Sequence, residues 1–135
     1  MSCMLRYAGE SLDVERLIAA IPVEPNRTWL RGSRDVLQRI RPTSGVSYVV
    51  SDAEMDAVEV QVEECLGFLA CHQAALAEAS SLPGVAHATL DFGVELRDVA
   101  IHVDFFPAPL VAAAASCGLS VAISHYPRGA AASES

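Results

Sequence analysis

With 135 residues, 52% of them hydrophobic and 19% charged, the chain is long enough for one domain around one core and too apolar to remain disordered. Its net charge of −8, with arginine present and lysine absent, opposes phosphate backbones and excludes nucleic acid as the expected partner. No apolar run reaches membrane-spanning length and the first residues hold no signal-peptide core, so the expectation is a cytoplasmic protein without membrane contact.

Cys3 to Ala8 alternates as a short strand with Leu5 and Tyr7 on one face. Gly9-Glu10 forms a turn, Ser11 is placed to cap a helix, and Pro22 stops that helix after Ile21. Val23 to Gly45 is irregular and holds Trp29 with five of the nine arginines: Arg27, Arg31, Arg34, Arg39 and Arg41. A short strand over Thr28–Arg31 and a helical turn over Asp35–Arg39 fit there. The arginines have two readings. They pair with acids elsewhere on the chain, or Arg27, Arg31 and Arg34 bind an anion or carboxylate, which guanidinium groups grip bidentately.

Val46 to Val50 reads as a strand, and Ser51-Asp52-Ala53-Glu54 has the form of a capping box opening a long helix to about Ala79. Met55, Val58, Val62, Leu66, Leu69, Gln73 and Leu76 trace its apolar stripe, with Cys65 beside it. Glu59, Glu63 and Glu64 fall largely off the stripe, as a solvated face or as an acidic docking surface for a basic partner. Gly67 predicts a bend or a close approach by a neighbour.

From Val85 to Phe105 the alternation is strongest. Ala86, Ala88, Leu90, Phe92 and Val94 share one face; after a polar turn, Val99, Ile101, Val103 and Phe105 repeat it. The pattern predicts an antiparallel hairpin with one wet side. Phe106-Pro107-Ala108-Pro109 then starts a helix that Gly118 ends as a left-handed cap, and Leu119 to Tyr126 forms the last strand. The sum is an α+β two-layer sandwich over residues 1–126, a mostly antiparallel sheet of about five strands with three helices largely on one face. A flexible tail over 127–135 follows. A sheet face left uncovered would suit a second copy or another partner, so a homodimer fits this architecture.

No nucleotide-binding, hydrolase or zinc-protease motif occurs, so no cofactor, metal or catalytic residue is expected. Cys3, Cys65, Cys71 and Cys117 lack metal-site spacing; three of them sit in strand or helix patterns dominated by apolar residues, and the expectation is buried, reduced thiols. One constellation remains, on the hairpin's polar face. A turn near residues 96–97 sets Asp91 opposite His102 and Thr89 opposite Asp104; a register two residues away pairs Asp91 with Asp104. His87 lies at the far end. A histidine beside a carboxylate serves as a base with its orienting acid, or as part of a metal site; the same residues also make ordinary hydrated cross-strand pairs.

Tyr7-Ala8-Gly9-Glu10-Ser11-Leu12-Asp13, with Leu17-Ile18, Ile21-Pro22 and Leu30-Arg31-Gly32, resembles the opening of an uncharacterised bacterial domain-of-unknown-function family. Gly45 to Ser51 is similar to that family's segment of glycine, aromatic, short strand and serine, with Tyr48 where tryptophan is usual. Leu119 to Tyr126 is similar to its closing strand, which ends in tyrosine. Some members are associated with the immunity proteins of bacterial toxin systems. The resemblance therefore implies a non-enzymatic inhibitor and carries over no catalytic residue. Charge and resemblance together lead to an immunity-like protein-interaction module that binds a basic partner. The competing expectation is a small-ligand binder or enzyme built from His87, Asp91, His102 and Asp104 with the arginine loop.

Overall fold

The computed structural model describes residues 1–128, and the patterns of the sequence resolve there into eight elements. β1 (Cys3–Gly9) leads into α1 (Val14–Ala20). Then come β2 (Arg27–Trp29), β3 (Ser44–Ser51), α2 (Val58–Ser80), β4 (His87–Glu95), α3 (Ala108–Ser116) and β5 (Ser120–Tyr126). The strands form one sheet in the order β2-β3-β1-β4-β5, antiparallel except for the β4–β5 pair. Strand β1, first in the chain, is central: Leu5 stands between Tyr48 of β3 and Leu90 of β4.

Strand alternation decides which side chains meet the helices. Leu5 and Tyr7, Val46 and Tyr48, and Leu90, Phe92 and Val94 all point to one face. There they join Leu17 of α1, Val62, Cys65, Leu69 and Leu76 of α2, and Leu110 and Ala114 of α3 in a single buried cluster. All three helices thus cover the same face, and the fold is the α+β two-layer sandwich that the patterning predicts. Inside it the Tyr7 hydroxyl donates to the Leu76 carbonyl at 3.4 Å, whereas the buried Tyr48 hydroxyl has no hydrogen-bond partner among the described residues. Burial pushes both phenols up to about 12. The neighbouring Cys65 thiol, and then burial, push the Cys3 thiol well above its ordinary range, and burial does the same for Cys117. Both behave as small protonated hydrophobes.

Several local expectations are displaced by competing bonds. Ser51-Asp52-Ala53-Glu54 does not open a helix. Ser51 closes β3 opposite Cys3; its hydroxyl accepts from the Ala53 N–H at 3.1 Å and donates to Glu64 at 3.0 Å, a serine turn that uses the chemistry of a cap. The helix α2 begins only at Val58, anchored by the buried Gln61 amide, which donates to the Gly93 carbonyl at 2.8 Å. In α1, Asp13 rather than Ser11 is the cap, accepting from the Arg16 N–H at 3.2 Å. The irregularity expected at Gly67 falls at His72, whose ring meets Phe68 edge-on, and no neighbour closes on Gly67. Gly118, with φ of +72°, does end α3 as a left-handed residue.

The largest correction concerns the hairpin. Val99 to Phe105 forms no strand, because both edges of β4 are taken. β1 pairs with it antiparallel on one side, and β5 lies parallel on the other, with Phe92 beside Ile123. A parallel neighbour requires a crossover, and residues 96–107 with α3 supply it. The tail expected at 127–135 lies outside the described residues, apart from Pro127 and Arg128.

Candidate interaction surface

Opposite the helices, the centre of the sheet is polar. Arg6 Nη1 donates to Asp91 Oδ2 at 2.5 Å, and Ser124 Oγ donates to Asp91 Oδ1 at 2.7 Å, linking β1, β4 and β5. Both carboxylate oxygens are occupied and the Asp91 side chain is only 13% exposed. The group is therefore an inter-strand staple, with each carboxylate oxygen already accepting a hydrogen bond from a neighbouring strand. Towards the β2 edge, the Trp29 ring covers Gly45, where a Cβ would lie 2.1 Å from the indole.

The remaining predicted site residues are dispersed. Asp91 faces Met4 and Ala122 across the strands, not His102 or Asp104. His87 opens β4, about 26 Å along the strand from Glu95 at 3.3 Å per residue, and lines a cleft of about 440 Å³ with Glu10, Ser11, Thr43 and Gly84. Arg27 stands opposite Ser47 on β2, three strand spacings or roughly 14 Å from β4. Arg31 and Arg34 sit in the loop beyond it. His102 Nε2 lies 3.1 Å from Asp104 Oδ2, although its N–H is not aimed at the carboxylate and finds no hydrogen-bond partner among the described residues. These seven side chains do not converge. Among the described residues, no group of three or more His, Cys, Asp or Glu side chains is placed to hold a metal ion.

The arginine loop is a small hairpin finger. Gly32 N–H donates to the Arg41 carbonyl, Arg41 N–H to Ser33 and Asp35 N–H to Arg39, all at 2.8–2.9 Å. Asp35 closes its tip, taking the Leu37 and Arg39 N–H groups on Oδ1 and the Arg39 guanidinium on Oδ2 at 3.0 Å. These bonds, the Arg39 N–H first, hold the Asp35 carboxyl below its usual range. A turn of this kind, with Gln38 at φ of +63°, replaces the helical turn expected over Asp35–Arg39. Arg34 is turned onto the Gln38 carbonyl at 2.8 Å, and Arg41 lies over Trp29 with its guanidinium 5.6 Å from the ring centre. Arg34, Arg39 and Arg41 are thus engaged within the finger and its base, not with acids elsewhere on the chain.

A second surface combines the acidic start of α2 that the sequence points to with an apolar segment that it does not. In the segment 99–105 the alternation is real but its phase is reversed: Ile101 is 82% exposed and Val103 and Phe105 are each 77% exposed, while His102 and Asp104 are turned inward. Val103, Asp104 and Phe105 line a cleft of about 320 Å³ with Val58, Glu59 and Val62 of α2 and Arg97. Glu59 and Asp104 bring acidic groups to it beside Arg97. Asp56, Glu63 and Asp98, near these residues in sequence, are exposed, and the chain holds no arginine between Arg41 and Arg97. That gap in positive charge was legible in the sequence; the reversed phase was not. Comparison with family models, curated proteins and solved structures found no match to this chain.

Proposed function

We propose that the protein is a non-enzymatic, immunity-like interaction module that binds a basic protein partner through the 99–105 segment and the acidic first half of α2. The observation that carries this reading is the reversed segment. Ile101, Val103 and Phe105 are the most exposed of the chain's large apolar side chains, and burying each against a partner would contribute about 1.5–3 kcal/mol. Glu59 beside Val103 and Phe105, with the exposed Glu63, Asp56 and Asp98, supplies steering toward positive charge and penalises an acidic partner. Dispersal of the histidines and carboxylates supports binding over catalysis as the role of this domain.

The test is affinity capture from the native host, followed by titration of the captured protein. A basic protein should bind with an affinity that weakens as salt rises. The double variant Ile101→Asp/Phe105→Asp, altered at exposed positions, should keep its fold by circular dichroism and bind at least about thirtyfold more weakly, the loss of one strong anchor. Glu59→Arg/Glu63→Arg should chiefly slow association. Capture of the same proteins, equally well, by wild type and by the Ile101/Phe105 variant would overturn the reading.

A further inference from the structure

The two edges of the sheet are protected very differently. β2 is three residues long and is followed by the arginine finger. β5 spans seven residues, Ser120–Tyr126, with no proline, no charged side chain and no irregularity in its pairing with β4. Among the described residues nothing pairs along its outer edge. Natural sheets blunt such edges with charge, proline, bulges, short length or a covering element, because a bare edge recruits another strand. Lack of charge extends beyond β5: from Phe105 to Pro127 the chain has no Asp, Glu, Lys or Arg. On the helix side, Val121 and Ile123 remain 43% and 42% exposed, and Val111, Ala112 and Ala115 are exposed on α3.

From this we infer that the chain forms a two-fold homodimer by antiparallel pairing of β5 with β5 of a second copy, joining two five-stranded sheets into one. The occupant follows from charge and from sequence symmetry. A chain of net charge −8 repels its copy wherever acids face each other, and between Phe105 and Pro127 this edge carries none. For the same reason a basic partner gains nothing here. A two-fold axis through Ala122 sets Ala122 opposite itself, Val121 opposite Ile123 and Ser120 opposite Ser124. Ser-Val-Ala-Ile-Ser reads alike in kind in both directions, so an isologous pairing matches apolar with apolar on the helix side and small with small on the other. An axis normal to the sheet keeps the helix layers on one side, so the uncharged α3 helices flank it and add apolar area to the strand contact.

Light scattering coupled to gel filtration tests this, with hydrogen exchange as a second readout. Wild type should elute with twice the 14.3 kDa chain mass, and its outward β5 amides should be protected. Ile123→Asp, at an exposed position, should raise the dimer dissociation constant at least about thirtyfold and expose those amides while circular dichroism stays unchanged. Ile101→Asp should leave the mass alone, which keeps this edge separable from the partner surface proposed above. A monomer at concentrations up to about 100 μM would overturn the inference, since a dimer weaker than that has little standing in solution. So would a dimer that survives Ile123→Asp, or one that Ile101→Asp dissociates.

Discussion

On one side of the sheet Leu5, Leu90 and Phe92 are held by apolar contact with the helices; on the other, Arg6 and Asp91 of the same two strands and Ser124 of β5 are held by an ion pair and a hydrogen bond. The first set supplies most of the burial energy and little directional information, because apolar contact is tolerant of angle. The second is directional. Slipping β1 against β4 by one residue would turn Arg6 into the core and Leu5 out of it, parting Arg6 from Asp91, so the polar staple and the apolar layer specify one register together. Polar residues on a strand facing no helix can thus serve register rather than chemistry.

The comparison is broken most severely by removing apolar volume. Phe92→Ala should lower unfolding free energy by about 3–5 kcal/mol in a denaturant titration, because Phe92 is fully buried and also meets the Phe106 ring edge-on at 5.0 Å. Next comes the staple. Asp91→Ala strands the half-buried Arg6 guanidinium and should cost about 2–4 kcal/mol; in an Arg6→Met background the same change should cost clearly less, and a double-mutant cycle measures the difference. If the two changes are additive, the staple is only a surface pair. The smallest effect separates two tyrosines on the apolar side. Tyr7→Phe loses a hydrogen bond and should cost about 0.5–1.5 kcal/mol, while Tyr48→Phe removes a buried hydroxyl without a partner and should be neutral or stabilising by up to about 1 kcal/mol. Both phenols sit near 12 against an ordinary value of 10. The unfolded chain therefore loses these protons first, so stability is intact below pH 10 and falls as pH rises through 12; urea midpoints across that range follow it.

Much of the layer architecture was legible because alternation at β1, β3 and β4 and the apolar stripe of α2 are dictated by burial on one side, while prolines and glycines bound the other two helices. Two kinds of information were not. Strand partnership is a contest among edges: the Val99–Phe105 run has every property of a strand, and it lost because β1 and β5 occupy both sides of β4. Cap chemistry is likewise shared between structures, so Ser51 makes a turn at a strand end where a helix start was expected. The candidate site suffered from the first cause. Asp91 and His102 were brought together only by a hairpin that does not form, and Asp91 found Arg6 and Ser124, on strands far away in sequence. What the residues did reveal was the distribution of charge, with arginines in the finger and acids along α2.

Because β1 precedes the other strands in chain order and lies in the middle of the sheet, its two hydrogen-bonding edges stay open until β3 and β4 have been made. During synthesis Leu5 and Tyr7 emerge before Tyr48, and Tyr48 before Leu90, so they wait to be enclosed on both sides. Assembly must close long loops before any central pairing rewards them, which places this fold among the slower folders for its size and makes β1 the segment most in need of shelter on the ribosome. A nascent chain stalled before β4 would leave one edge of that strand bare.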